Sequence, residues 1–235
     1  MRRRILLLPL LMIFMISVSL SGQQKTAPEF KLIEFQMALL KRFPREQRSQ
    51  NLNLTGLQKE HEDYLRALLE SGKAMIAGPL TDDGDIRGIF IFRAKSLDEA
   101  RRWAEADPLV KAGLLAVEMH PWWSEDVMKK PLLPLKLSTA YLGLLVRGEK
   151  WTAERTPQTE EIQKAHLANI NRLAQMKKLV VAGPFGDDGV LRGIFVFKVS
   201  SLDEAKSLAE TDPAVRAGRL AIIMHPWAIP EGVLP

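Results

Sequence analysis

Residues 77–92 read AGPLTDDGDIRGIFIF and residues 182–197 read AGPFGDDGVLRGIFVF, an offset of 105 positions. At that offset 57–122 aligns with 162–227 without a gap, and about half of the aligned positions are identical. A repeat of this length and fidelity is a tandem duplication, and each copy has the size of a small independent domain. The chain must therefore fold as two similar units. The sequence assigns residues 30–123 to the first unit and 135–228 to the second, with 124–134, which holds Pro131 and Pro134, as the connector.

Within the first copy, KLIEFQMALL (31–40) is apolar and strand-like. The stretch 55–70 places Leu57, Tyr64, Leu65 and Leu68 on one helical stripe, and Thr55 with Gln58 has capping-box spacing at its start. KAMIAGP and RGIFIF read as two strands around a turn marked by Asp83-Gly84. A second helix opens at Ser96, and Leu114 to Met119 forms a last strand that the following proline ends, with Trp122 and Trp227 covering a barrel rim. The order β-α-β-β-α-β is ferredoxin-like, which puts both helices on one sheet face. Yet 88–92, 179–182 and 220–224 are apolar at successive positions, the pattern of strands buried on both faces. The second copy is tethered beside the bare face at high effective concentration. The predicted fold class is thus α+β: tandem ferredoxin-like (βαββαβ) domains forming an intramolecular dimeric α+β barrel.

The core must hold this fold alone, because the chain has no cysteine and so no disulfide. Hydrophobic residues make up 46%, enough for such cores. The first 24 residues, MRRRILLLPLLMIFMISVSLSGQQ, have the layout of a secretory signal, and we read 1–22 as a signal peptide removed near Ser21 or Gly22. The apolar run is short for a membrane span of ~20 residues; an uncleaved anchor is the alternative reading. The expectation is a periplasmic or secreted protein with no stable membrane association after cleavage. The net charge of +5 owes three charges to Arg2, Arg3 and Arg4, so the remainder gives no electrostatic footprint for nucleic acid.

All four histidines fall in repeat-equivalent pairs, His61 with His166 and His120 with His225. His61 lies between Leu57 and Leu65, and His166 between Ile162 and Ile170, each within the apolar stripe of its helix. An imidazole there is either a satisfied core residue or a general acid–base. Asp107-Pro108 and Asp212-Pro213 offer the carboxylate that would hold such a ring; both also have the form of an N-cap followed by proline at the first helical position, and the two roles are compatible. His120 and His225 end the last strands, and two imidazoles are too few for a metal site. Asp82, Asp83 and Asp85 lack calcium-loop spacing and read as a turn. Arg87 and Arg192 follow the turns and are candidates to meet an anionic substrate group, a solvated strand-end arginine being the alternative. No GxSxG, phosphate loop or cysteine nucleophile is present, and no cofactor is called for.

Taken together, His61, Ala77-Gly78-Pro79, Gly88, the run Ser96 to Ala100, Asp107-Pro108 and Gly113, all repeated at the same offset, resemble the YciI-like (YCII-related) family. The resemblance implies a ferredoxin-like dimeric α+β barrel with a His-Asp pair as active site. Dehydrochlorination of a chlorinated hydroquinone is the best known activity of that family. It further implies a small-molecule ligand, with His61, Asp107, His166 and Asp212 as candidate catalytic groups of a cofactor-independent lyase or isomerase. A binding or regulatory module without catalysis is the alternative. The leader and the fusion of two copies depart from the simple family member, so a cytoplasmic substrate does not carry over.

Overall fold

The computed structural model describes residues 30–43 and 52–235; the predicted signal peptide at 1–22 lies outside them. The first unit contains β1 (Leu32–Arg42), α1 (Leu54–Glu70), β2 (Ala74–Pro79), β3 (Ile86–Phe92), α2 (Leu97–Glu105), α3 (Pro108–Lys111) and β4 (Leu115–Glu125). The second repeats it with β5 (Leu137–Arg147), α4 (Pro157–Gln175), β6 (Leu179–Pro184), β7 (Leu191–Phe197), α5 (Leu202–Ala209), α6 (Pro213–Arg216) and β8 (Leu220–Pro230). Each unit is an antiparallel sheet, ordered β2-β3-β1-β4 and β6-β7-β5-β8. No described helix is long and apolar enough to cross a membrane.

The two-sided strands divide their side chains by the period of two. Phe35, Met37 and Leu39 of β1 share one buried cluster with Ala140, Leu142 and Leu144 of β5, so these faces of the two sheets meet in a common interior. The alternate residues Ala38 and Leu40, with Phe90 and Phe92 of β3, pack beneath Leu68, Leu69, Ala100 and Ala104 of α1 and α2. The second unit does the same with Leu145, Phe195 and Phe197 beneath Leu173, Ala205 and Ala209. Three cores result: one inside the barrel and one under each helical layer. Each fully buried Phe, Leu or Ile contributes roughly 1.5–3 kcal/mol relative to exposure, and the share that belongs to the barrel interior is realised only when the two sheets close on each other.

Closure runs through the edge strands. Trp122 of β4 and Trp227 of β8 are fully buried, and each donates its indole N–H at 3.1 Å across the unit boundary, to Gly183 O and Gly78 O respectively. Backbone bonds repeat the symmetry, Thr81 N–H to Pro226 O at 2.9 Å and Gly186 N–H to Pro121 O at 2.8 Å. The tryptophans therefore fill the interior, where the sequence reading put them on a rim. The prolines do not end the strands either. Pro121 pairs opposite Gln36 and Pro226 opposite Tyr141, and pairing continues to Glu125 and Pro230. The missing N–H is tolerated because β4 and β8 are the edges of their own sheets, and the proline carbonyl receives the partner unit's amide.

Local signals also moved. The side chain of Asn53, not Thr55, caps α1, accepting from Gly56 N–H at 3.1 Å. Ser96 caps α2 as its spacing indicated, accepting from Glu99 N–H. The connector is anchored: Met128 enters the barrel core beside Val233, and Lys129 N–H and Leu132 N–H bond to Val233 O and Glu231 O of the C-terminal tail.

At the seams the two backbones nearly touch. A Cβ on Gly78 would stand 1.8 Å from Ala228 O, and one on Gly183 would stand 1.7 Å from Trp123 O. Gly78→Ala and Gly183→Ala are each expected to destabilise the chain by about 3 kcal/mol, the upper end of ordinary overpacking costs, in equilibrium urea unfolding. Values within about 0.5 kcal/mol of wild type would contradict this closure.

Candidate functional site

The loop after α2 descends onto α1 because Asp107 starts the single turn α3. Its carboxylate accepts Leu109 N–H at 2.8 Å, Pro108 supplies the first helical φ, and the side chain is shut off from water. The other carboxylate oxygen stands 2.6 Å from His61 Nδ1 on α1. A carboxylate offers only acceptors, so the proton of this bond sits on Nδ1. Nε2, which makes no hydrogen bond to a described residue, is left as the ring's exchangeable nitrogen. One aspartate thus caps a turn and orients an imidazole.

The second copy reproduces the pair. His166 Nδ1 lies 2.9 and 2.8 Å from the two oxygens of Asp212, which also accepts Ala214 N–H at 2.9 Å. Asn169 adds a longer contact to Asp212 at 3.4 Å. Its repeat equivalent, Tyr64, donates instead to Trp103 O at 2.8 Å. Burial, with the Asp107 charge second, pushes the Tyr64 hydroxyl above its ordinary value, so it remains a donor at neutral pH.

Beside His61 opens a cavity of about 560 Å³ between α1 and the sheet. Its walls are mostly apolar, among them Leu40, Leu65, Ile89 and Phe90, with Gln58, Glu62, Arg66 and Arg87 as polar groups. Leu135, just after the connector, Leu137 of β5 and Pro230 of β8 complete it, all from the second unit. An apolar chamber with a few convergent polar groups is the usual form of a small-molecule site. Arg87 lines this chamber while one guanidinium nitrogen donates to Asp82 O at 2.9 Å. Arg192 makes the corresponding bond to Asp187 O at 3.3 Å, but its guanidinium lies 4.7 Å from the centre of the Trp151 ring.

The other histidine pair forms contacts that the sequence reading missed. His120 Nδ1 is 2.6 Å from Asp187 in the turn between β6 and β7, and His225 Nδ1 is 2.7 Å from Asp82 in the turn between β2 and β3. Each imidazole therefore reaches across to the opposite unit. Glu118 brings a second carboxylate to His120, 2.8 Å from Nε2, and is itself paired with Lys41. The only sequence signal for these contacts was the recurrence of Asp82 at Asp187. Among the described residues no group of three or more His, Cys, Asp or Glu is placed to hold a metal ion.

Two ferredoxin-like units closed through their edge strands make this an α+β barrel protein of the dimeric kind, built within one chain. Residues 39–122 and 144–227 each match the YCII-related domain, and the chain belongs to this family in two copies. In sequence it is similar to the uncharacterised protein YjpA of Bacillus subtilis strain 168, 30% identical over 89 residues, which are 38% of this chain and 94% of YjpA. In fold it is similar to a haem-binding protein of Thermus thermophilus, with a TM-score of 0.53 at 14% identity, covering 86% of this chain and 92% of that one. A chlorite dismutase of Candidatus Nitrospira defluvii aligns with a TM-score of 0.54 at 13% identity, covering 85% and 92%. At such identities the likeness is one of fold alone.

The cross-unit clasp should make stability pH-dependent. Burial alone would raise Asp187, but the hydrogen bond to His120, with lesser help from Gly189 N–H and Arg192, holds its carboxyl below the usual 3.8. Glu118 is likewise held below 4.5, its burial outweighed by Lys41 and His120. A carboxyl whose folded pKa is depressed contributes stability above its unfolded value and loses it as pH falls through the folded one. Urea midpoints measured from about pH 6 down to about pH 3 should therefore fall more steeply for wild type than for Asp187→Asn. Parallel curves would show that the clasp contributes nothing.

Proposed function

We propose that the first copy is a small-molecule site in which His61 transfers a proton and Asp107 orients it, without a cofactor, in a lyase or isomerase reaction. The observation that supports this most is the coincidence of a carboxylate-held imidazole with the wall of a 560 Å³ apolar cavity. A histidine kept only for packing needs no chamber, and a chamber kept only for binding needs no buried carboxylate behind its imidazole.

The chemistry follows from the groups. His61 Nε2 takes a proton from an acidic C–H or O–H of the ligand, and the Asp107 charge stabilises the imidazolium that results. Arg87 faces the negative charge left on the ligand. In an isomerisation the same nitrogen returns the proton at another atom. In an elimination the C–H electron pair becomes the new π bond, the leaving group departs with its own bonding pair, and the proton stays on His61. The exported location read from residues 1–22 belongs to the same proposal, which puts the ligand outside the cytoplasm. His166 and Asp212 carry the same groups, and what occupies the space beside them decides their use.

Proton transfer is measurable before the natural substrate is known. Incubation in D₂O with a panel of small phenols, chlorinated hydroquinones and carbonyl acids, followed by NMR and chloride release, should show exchange or elimination with wild type. His61→Asn should lower that rate by ~10²–10⁴, the usual worth of a positioned acid–base group, with the fold intact. Panel members that raise the melting temperature of wild type and His61→Asn alike, with neither protein catalysing exchange, would replace catalysis by the binding-module reading.

A further inference from the structure

The two copies share their dyads but differ in what lies next to them. Trp151, on the loop between β5 and α4, is partly buried against the core under the second helical layer. That core includes Leu145, Ile170 and Phe195, the repeat equivalents of the cavity-lining Leu40, Leu65 and Phe90. The indole also lies over Arg192, the equivalent of the cavity-lining Arg87, at 4.7 Å from ring centre to guanidinium. Two further guanidiniums surround it, Arg219 at 5.2 Å and Arg147 at 5.6 Å. The ring therefore packs, in the second copy, against a core made of counterparts of residues that line the cavity in the first.

The loop is built to keep it there. Gly148 N–H and Lys150 N–H bond to Arg219 O and Gly218 O at 2.9 Å each, Trp151 N–H closes the turn onto Gly148 O at 3.0 Å, and Arg219 donates to Thr152 O at 2.9 Å. A Cβ at Gly148 would stand 2.3 Å from Gly218 O, so only glycine lets the two loops lie this close. Of these residues Gly218 recurs in the first copy, as Gly113, but Gly148, Lys150, Trp151, Thr152 and Arg219 do not. Counting back 105 positions, Glu46 stands for Trp151, Phe43 for Gly148 and Leu114 for Arg219, and the stretch 44–51, PREQRSQN, contains no aromatic residue.

We infer that Trp151 is a built-in occupant of the second copy's binding site, so that the two-unit chain presents one ligand site, beside His61, and keeps the His166–Asp212 pair as structure. Cation–π contact with three guanidiniums and burial against aliphatic side chains both favour the seated indole over an exposed one. The vacated second site would take a flat, indole-sized ring. The inference adds to the small-molecule reading of the first copy, but it concerns occupancy alone and does not depend on catalysis.

The test is a count of bound sites for 5-fluoroindole by ¹⁹F NMR on the full chain. Wild type should bind one equivalent. Leu65→Trp, which fills the first cavity, should abolish that binding, whereas Ile170→Trp, the equivalent change in the second copy, should leave it. Trp151→Gly should add a second equivalent with its own bound resonance, because the lining it leaves is already shaped for an indole. Two equivalents in wild type would overturn the inference, as would a Trp151→Gly protein of native circular dichroism that gains none. Should Trp151→Gly fail to fold, the wild-type count with Leu65→Trp and Ile170→Trp still decides it. No binding to wild type with one equivalent in Trp151→Gly would instead remove the first-copy site and leave the occupancy of the second by Trp151 standing.

Discussion

Closure of two sheets, each apolar on both faces, is the constraint on which the rest of this structure depends. A single ferredoxin-like unit covers one face with its helices and leaves Phe35, Met37 and Leu39, or Ala140, Leu142 and Leu144, facing outward. The chain hides those faces against one another. Fusion makes that meeting intramolecular, replacing a concentration-dependent encounter with a tethered one. The seams show how complete the closure is: glycine at 78 and 183, an indole N–H on each glycine's carbonyl, and a histidine from each unit on the other's turn.

Closure also breaks the symmetry it rests on. One connector joins the units, so the start of the second unit has to lie on one side. Leu135 and Leu137 then line the first copy's cavity along with Pro230. In the second copy Arg192 and the aliphatic lining meet Trp151. Two sites that began as duplicates therefore have different environments, although their His-Asp geometry is nearly the same: 2.6 Å in one, 2.8 and 2.9 Å in the other. Keeping a dyad intact is consistent with a structural use as well as a chemical one, because Asp212 still caps α6 whether or not His166 meets a ligand.

Much of this was legible in the sequence for physical reasons that are local or repeated. Strand burial on two faces is written in runs of successive apolar residues, and the Asp-Pro cap is a short local pattern. His61 stood out because an imidazole interrupts an apolar helical stripe. The contacts of His120 and His225 were not legible, because they span 67 and 143 positions and exist only after the barrel has closed. The same holds for Trp122 and Trp227: a proline before a tryptophan reads as a strand end unless the edge carbonyl is known to meet another unit's amide. The difference between the two sites was hidden for another reason. Most lining residues are common to both copies, though Glu62, Arg66, Leu69 and Leu109 give way to Leu167, Asn171, Ala174 and Ala214, and a further distinction lies in Trp151, upstream of the gapless repeat core, whose importance appears only once Arg192 is seen beneath it.

The central claim is that Asp107 fixes the tautomer of His61 and turns Nε2, unprotonated, to the cavity. Two-bond ¹H–¹⁵N correlation spectra of the histidine-labelled full chain read this directly. The account predicts that, in its neutral form, His61 carries its proton on Nδ1 and shows an unprotonated Nε2, and that Asp107→Asn disturbs this assignment without unfolding the protein. A neutral His61 protonated at Nε2, with Nδ1 bare beside Asp107, would contradict it.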